Sequence, residues 1–97
     1  MKTARQLEWS KRSLKDRDRI ARFYNEEASL LVAVEADAAI QRAADQACAA
    51  PELFRSGIRT NTREYVMRRF PFTLIYRVKA DKVLIVRVMH QAAKYFN

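Results

Sequence analysis

Apolar and polar side chains alternate through residues 63–94 in three short runs separated only by turn-sized gaps. Phe72, Leu74, Tyr76 and Val78 interleave with Thr73, Ile75, Arg77 and Lys79. Leu84, Val86, Val88 and His90 interleave with Val83, Ile85, Arg87 and Met89. A period of two sends successive side chains to opposite faces of a strand. Each run therefore predicts a strand with one mostly apolar face, His90 included, and one mixed face carrying Thr73, Ile75, Arg77, Ile85, Arg87 and Met89. A third strand is predicted over residues 64–69. Pro71 lacks a ladder donor and belongs in the turn that follows, and residues 80–82 make the next turn. The three strands form an antiparallel meander. Residues 3–9 alternate more briefly, with Leu7 and Trp9 on one side, and predict a first strand.

Between that strand and the meander the period changes. From residue 11 to 26 no Gly or Pro intervenes, and Leu14, Ile20, Ala21, Phe23 and Tyr24 recur at spacings of three and four, as on an amphipathic helix. Ser10 and Ser13 are candidate N-caps. Residues 30–50 are alanine-rich, with Ala33, Ala36, Ile40, Ala43, Ala44 and Ala47 in one stripe and Leu30 and Val34 beside it. Either the two segments are one bent helix, or a turn lies at residues 25–29, with Asn25 as a left-handed cap and Ser29 starting the second helix. Small residues permit close approach, so the reading is a helical hairpin across one face of an antiparallel sheet. Pro51 ends the second helix, and residues 51–57 form a loop to Gly57, the one glycine of the chain.

Composition narrows the class. Ninety-seven residues, 49% of them hydrophobic, make a single α+β domain over residues 1–97. One cysteine, Cys48, and one histidine cannot supply the four ligands of a structural zinc site, and no metal or cofactor is expected. No apolar run approaches the roughly 18 residues of a membrane span, so a soluble cytoplasmic protein is expected. The net charge of +8 is uneven: residues 51–97 hold ten of the nineteen cationic side chains and three of the eleven acidic ones. That excess is either ordinary solubility charge or a surface for nucleic acid, ribosome or an acidic protein.

The order strand, helix, helix, three strands then meets particular residues: Pro51-Glu52-Leu53 at the helix exit, Gly57 and Arg59, Arg63-Glu64, Arg68-Arg69-Phe70-Pro71-Phe72 running into Ile75-Tyr76-Arg77-Val78, and Val86-Arg87-Val88-Met89-His90. With them the chain resembles the RelE/ParE superfamily of toxins from bacterial type II toxin–antitoxin modules. The resemblance implies the RelE/ParE-like β-α-α-β-β-β fold and a protein that arrests growth when free. It also implies neutralisation by a cognate antitoxin in a hetero-oligomer, the antitoxin wrapping the toxin as helix and extended strand.

Two branches of the superfamily act differently. RelE-like members cleave messenger RNA in the ribosome, where cationic side chains stabilise the transition state and an acid–base group moves the 2′-hydroxyl proton. ParE-like members poison DNA gyrase by binding. Aligned with the nuclease pattern, Thr73 stands in place of a strand arginine and Ala92-Ala93 in place of tail arginines, and the Phe-Pro-Phe turn suits the ParE-like branch. On that reading Arg69, Arg77, Arg87 and Lys94 form a cationic binding surface and Tyr95 and Phe96 an apolar end. On the nuclease reading His90, Lys94 and Tyr95 carry the chemistry, although the strand parity makes His90 and Tyr76 candidates for the core. A third reading is a non-toxic module that only binds or autoregulates with its antitoxin.

Overall fold

The computed structural model describes residues 4–92. Strand β1 (Gln6–Trp9) leads into helices α1 (Lys11–Glu27) and α2 (Leu30–Ala49), then a single 3-10 turn (Pro51–Leu53). Strands β2 (Arg55–Ser56), β3 (Arg63–Val66), β4 (Phe72–Val78) and β5 (Lys82–His90) follow. The described strands form one five-stranded sheet in the order β1-β5-β4-β3-β2. The pairings are antiparallel except β1 against β5, which is parallel. The expectation of a wholly antiparallel sheet is corrected there. No hairpin joins β1 to β5, so nothing local fixes their relative direction.

The helical hairpin forms where expected, for identifiable local reasons. Ser10 Oγ accepts the Ser13 N–H and Ser29 Oγ accepts the Val32 N–H, capping both helices. Asn25 does not adopt the left-handed conformation expected of it: α1 continues past it and is capped at Ala28. Among the described non-glycine residues only Asn61 has positive φ. The alanine stripe of α2 is buried as read, with Ala36, Ile40, Ala44 and Ala47 fully enclosed. These small side chains let α2 approach closely, so Leu74, Tyr76, Val83 and Ile85 pack into the same core.

Helix α1 departs from its reading. Its buried residues are Ser13, Asp16 and Ile20, whereas Leu14 and Phe23 are exposed. The reason lies at the edge of β5, which β1 covers only from Lys82 to Ile85. Beyond that point α1 supplies the missing partners: Ser10 Oγ donates to the Val86 carbonyl at 2.8 Å, and Asp16 Oδ2 accepts the Val88 N–H at 2.9 Å. A helix that completes a strand edge buries polar side chains, because unpaired backbone groups there would each cost about 1–3 kcal/mol.

Register in β5 also differs. Ile75 pairs with Arg87 but Tyr76 pairs with Ile85, which leaves Val86 as a bulge. The extra residue inverts the parity of the first half of the strand. Val83 and Ile85 join Val88 in the core, and the expected placement of Leu84 and Val86 there is overturned. On β4, Phe72, Leu74 and Tyr76 face the helices as read. Strand β3 is shorter than expected because Met67 N–H donates to the Phe72 carbonyl at 3.0 Å, closing a turn that tucks Phe70 against Tyr24.

Candidate partner-binding surface

Three cations proposed for a binding surface can be placed, and the fold treats them differently. Arg87 reaches around the β5 bulge to Asp16, donating from Nε at 2.8 Å and Nη2 at 3.2 Å. This hydrogen bond holds the Arg87 pKa above its usual value. Arg69 pairs with Glu35 on α2 and lies over the Phe70 ring, its guanidinium carbon 5.1 Å from the centroid. Arg77, opposite Leu84 on the sheet's outer face, makes no ion pair among the described residues. Lys94, Tyr95 and Phe96 lie outside the described residues.

The outer face, away from the helices, was expected to be an open basic surface. Its middle is closed. Glu64, Ile75 and Arg87 stand in register across β3, β4 and β5, and Glu64, Thr73 and Ile75 are all buried. Arg55 donates to Glu64 Oε1 at 2.8 Å, while Oε2 has no partner among the described residues. The row therefore ends in an internal arginine–carboxylate pair on each side, Arg55–Glu64 and Arg87–Asp16. Among the described residues, such a centre offers a phosphodiester no uncommitted cation, which transition-state stabilisation would need.

His90 is exposed rather than buried, which corrects its placement in the core. Its parity is as read, opposite Phe72 with the rings edge-on at 5.7 Å, but it sits at the strand's last position. Its Nδ1 accepts the Ala92 N–H at 3.0 Å. Tyr76 is the buried aromatic: its hydroxyl donates to the Pro51 carbonyl at 2.7 Å, and burial pushes its pKa up to about 12. Cys48 is half-buried, and burial followed by the nearby Asp45 raises its pKa, the setting of an inert thiol.

Sequence reading missed the apolar surface of the hairpin. Leu14, Phe23, Leu30, Leu31 and Val34 are all large, apolar and at least half exposed. Leu30, Ala33, Val34 and Ala38 face Ala21 and Arg17 across a groove between α2 and α1. A second surface follows β3, where β2 pairs only as far as Glu64 and leaves Val66 on an open edge beside exposed Leu53. The signal available was the Leu30-Leu31 pair and Val34, which lie off the alanine stripe and have no place in a core.

The described residues thus form a helical hairpin on one face of a five-stranded sheet in the order β1-β5-β4-β3-β2. The structure is similar to that of the chromosomal ParDE toxin–antitoxin system from P. aeruginosa, with a TM-score of 0.82 and 20% identity, covering 90% of this chain and 96% of that one. It is also similar to the RelBE2 toxin–antitoxin complex from Mycobacterium tuberculosis, with a TM-score of 0.59 and 20% identity, covering 94% and 95%. No curated protein sequence matches the chain. Residues 7–95 match the family described as ParE toxin of type II toxin-antitoxin system, parDE, and the chain belongs to that family. No helix among the described residues is long and apolar enough to cross a membrane.

Proposed function

We propose that the chain arrests growth by binding an essential target, with DNA gyrase the target its branch of the superfamily favours, and that a cognate antitoxin neutralises it. The observation that carries this reading is the outer face. Its centre holds Glu64, Thr73 and Ile75, and its flanking arginines are engaged with Glu64 and Asp16. A centre whose flanking arginines are committed internally suits a protein that binds rather than one that cleaves. The exposed apolar side chains of the hairpin fit a partner held by packing, since a contiguous apolar patch on a small protein marks an interaction site. The neighbouring ParDE and RelBE2 structures are toxin–antitoxin systems, which supports an antitoxin as one occupant.

Ribosome-dependent cleavage of messenger RNA is the second reading, supported by the exposed imidazole of His90 at the end of β5. Induced expression in cells without the antitoxin separates the two. Growth arrest with DNA-damage signalling and intact messages supports the binding toxin. Cuts at codon positions in translated messages support the nuclease. Unimpaired growth would leave the third reading, a module that only binds its antitoxin.

A further inference from the structure

At the end of the sheet, beyond the closed outer face, the loop between β2 and β3 overhangs the last residues of β4 and encloses a cleft of about 650 Å³. We infer that this cleft holds the sugar–phosphate backbone of a nucleic acid, without reading its sequence. The inference does not depend on which cellular target the toxin stops.

The cleft is built on a fixed loop. Gly57 N–H donates to the Thr62 carbonyl at 2.7 Å, and Thr62 Oγ1 donates to the Arg59 carbonyl at 2.6 Å. Asn61 takes the left-handed conformation at φ 61° that closes the turn. Two cationic residues with no carboxylate partner among the described residues, Arg77 and Lys79, line this frame at the end of β4, while Arg63, in register with Tyr76, turns to donate to the Phe54 carbonyl at 2.7 Å. Arg59 lines it as well, and no acidic side chain does so among the described residues. This contrasts with Arg55, Arg69 and Arg87, each of which has its own acid.

The remaining lining residues decide the ligand class. Ser56, Thr60 and Asn61 bring hydroxyl and amide donors beside the cations. Arg, Lys, Ser, Thr and Asn are the side chains that hold phosphate oxygens in nucleic-acid complexes. Among the described residues no aromatic ring lines the cleft, so they give no sequence preference by ring stacking. An acidic peptide would share the cations but would also need apolar pockets, and the lining offers chiefly Ile58 and Val78.

The test is fluorescence anisotropy with a labelled, mixed-sequence single-stranded oligodeoxynucleotide, titrated over a range of salt. The double variant Arg77→Gln, Lys79→Gln should bind about tenfold more weakly and lower the salt slope by roughly one to two. A variant with the same charge change on the exposed back of α1, Lys15→Gln with Arg19→Gln, should stay within about twofold of the unaltered protein. Amide shift mapping of the unaltered protein, which needs no variant to fold, should place the oligonucleotide on residues 56–63 and 77–79. Equal losses in both double variants, or shifts centred elsewhere, would overturn the inference. So would polyglutamate binding as tightly as the oligonucleotide at equal charge, which would make the cleft a seat for an acidic peptide.

Discussion

Asp16 and Arg87 form an ion pair at 2.8 Å in which the acid is the more deeply buried member, 5% exposed against 19% for the arginine. The same carboxylate oxygen accepts the Val88 N–H at the edge of β5. One side chain thus joins α1 to the sheet, satisfies a strand edge and neutralises a cation that sequence alone assigned to a partner. Removing it should leave both a backbone donor and a guanidinium unsatisfied. Asp16→Ala is expected to lose about 3–5 kcal/mol of folding stability, measured by urea denaturation. Arg77→Glu, which breaks no internal pair, should change stability by about 0.5 kcal/mol or less.

Tyr76 makes stability depend on pH in the alkaline range. Its folded-state pKa of about 12 lies above the ordinary 10.0 of a free phenol, so the native state favours the protonated form. The stabilising contribution is therefore fully present below pH 10 and is lost as pH rises through about 12. Thermal melts of the native protein should fall more steeply across that window than those of Tyr76→Phe, which has no proton to lose. Parallel curves would contradict the burial of the hydroxyl. Tyr76→Phe should itself cost about 1–2 kcal/mol at neutral pH, through the lost hydrogen bond to Pro51.

Gly57 is required by space rather than by φ. A Cβ built there would stand 2.1 Å from Thr62 Oγ1 and 3.0 Å from its Cβ. Gly57→Ala is expected to destabilise the protein by about 1–3 kcal/mol. Adding Thr62→Ala removes the nearer atom, so the double variant should be more stable than the sum of the two single losses. Strict additivity in that cycle would show that the clash is relieved some other way.

Much of the fold was legible because most of it follows strict periods. The alanine stripe of α2 named its own buried face, and Phe72, Leu74 and Tyr76 named theirs. Two of the misreadings trace to β5, to its bulge and to its uncovered edge. A bulge at Val86 leaves no mark in an alternating run, and it exchanged Leu84 for Val83 and Ile85 in the core. Asp16, though charged, is buried to complete that edge. The candidate surface was less legible still. Charge can be counted in a sequence, but whether Arg69 finds Glu35, Arg87 finds Asp16 and Arg77 finds no acid among the described residues depends on contacts between residues far apart in the chain.

The exposed hairpin residues should matter to a partner and not to the fold. Leu30→Asp combined with Val34→Asp alters side chains that are 68% and 57% exposed. The melting temperature should fall by no more than a few degrees, as for surface changes of about 0.5 kcal/mol. Co-purification with a cognate antitoxin should be lost. A variant that retains the antitoxin would move the docking surface away from the helices.

The proposed mode of action is binding rather than cleavage. Its most direct test sets the purified protein against DNA gyrase in a supercoiling assay and, in parallel, against messenger RNA in a reconstituted translation system. Supercoiling should stop as toxin is added while the translated message stays full-length. Cleaved message beside fully active gyrase would contradict the claim.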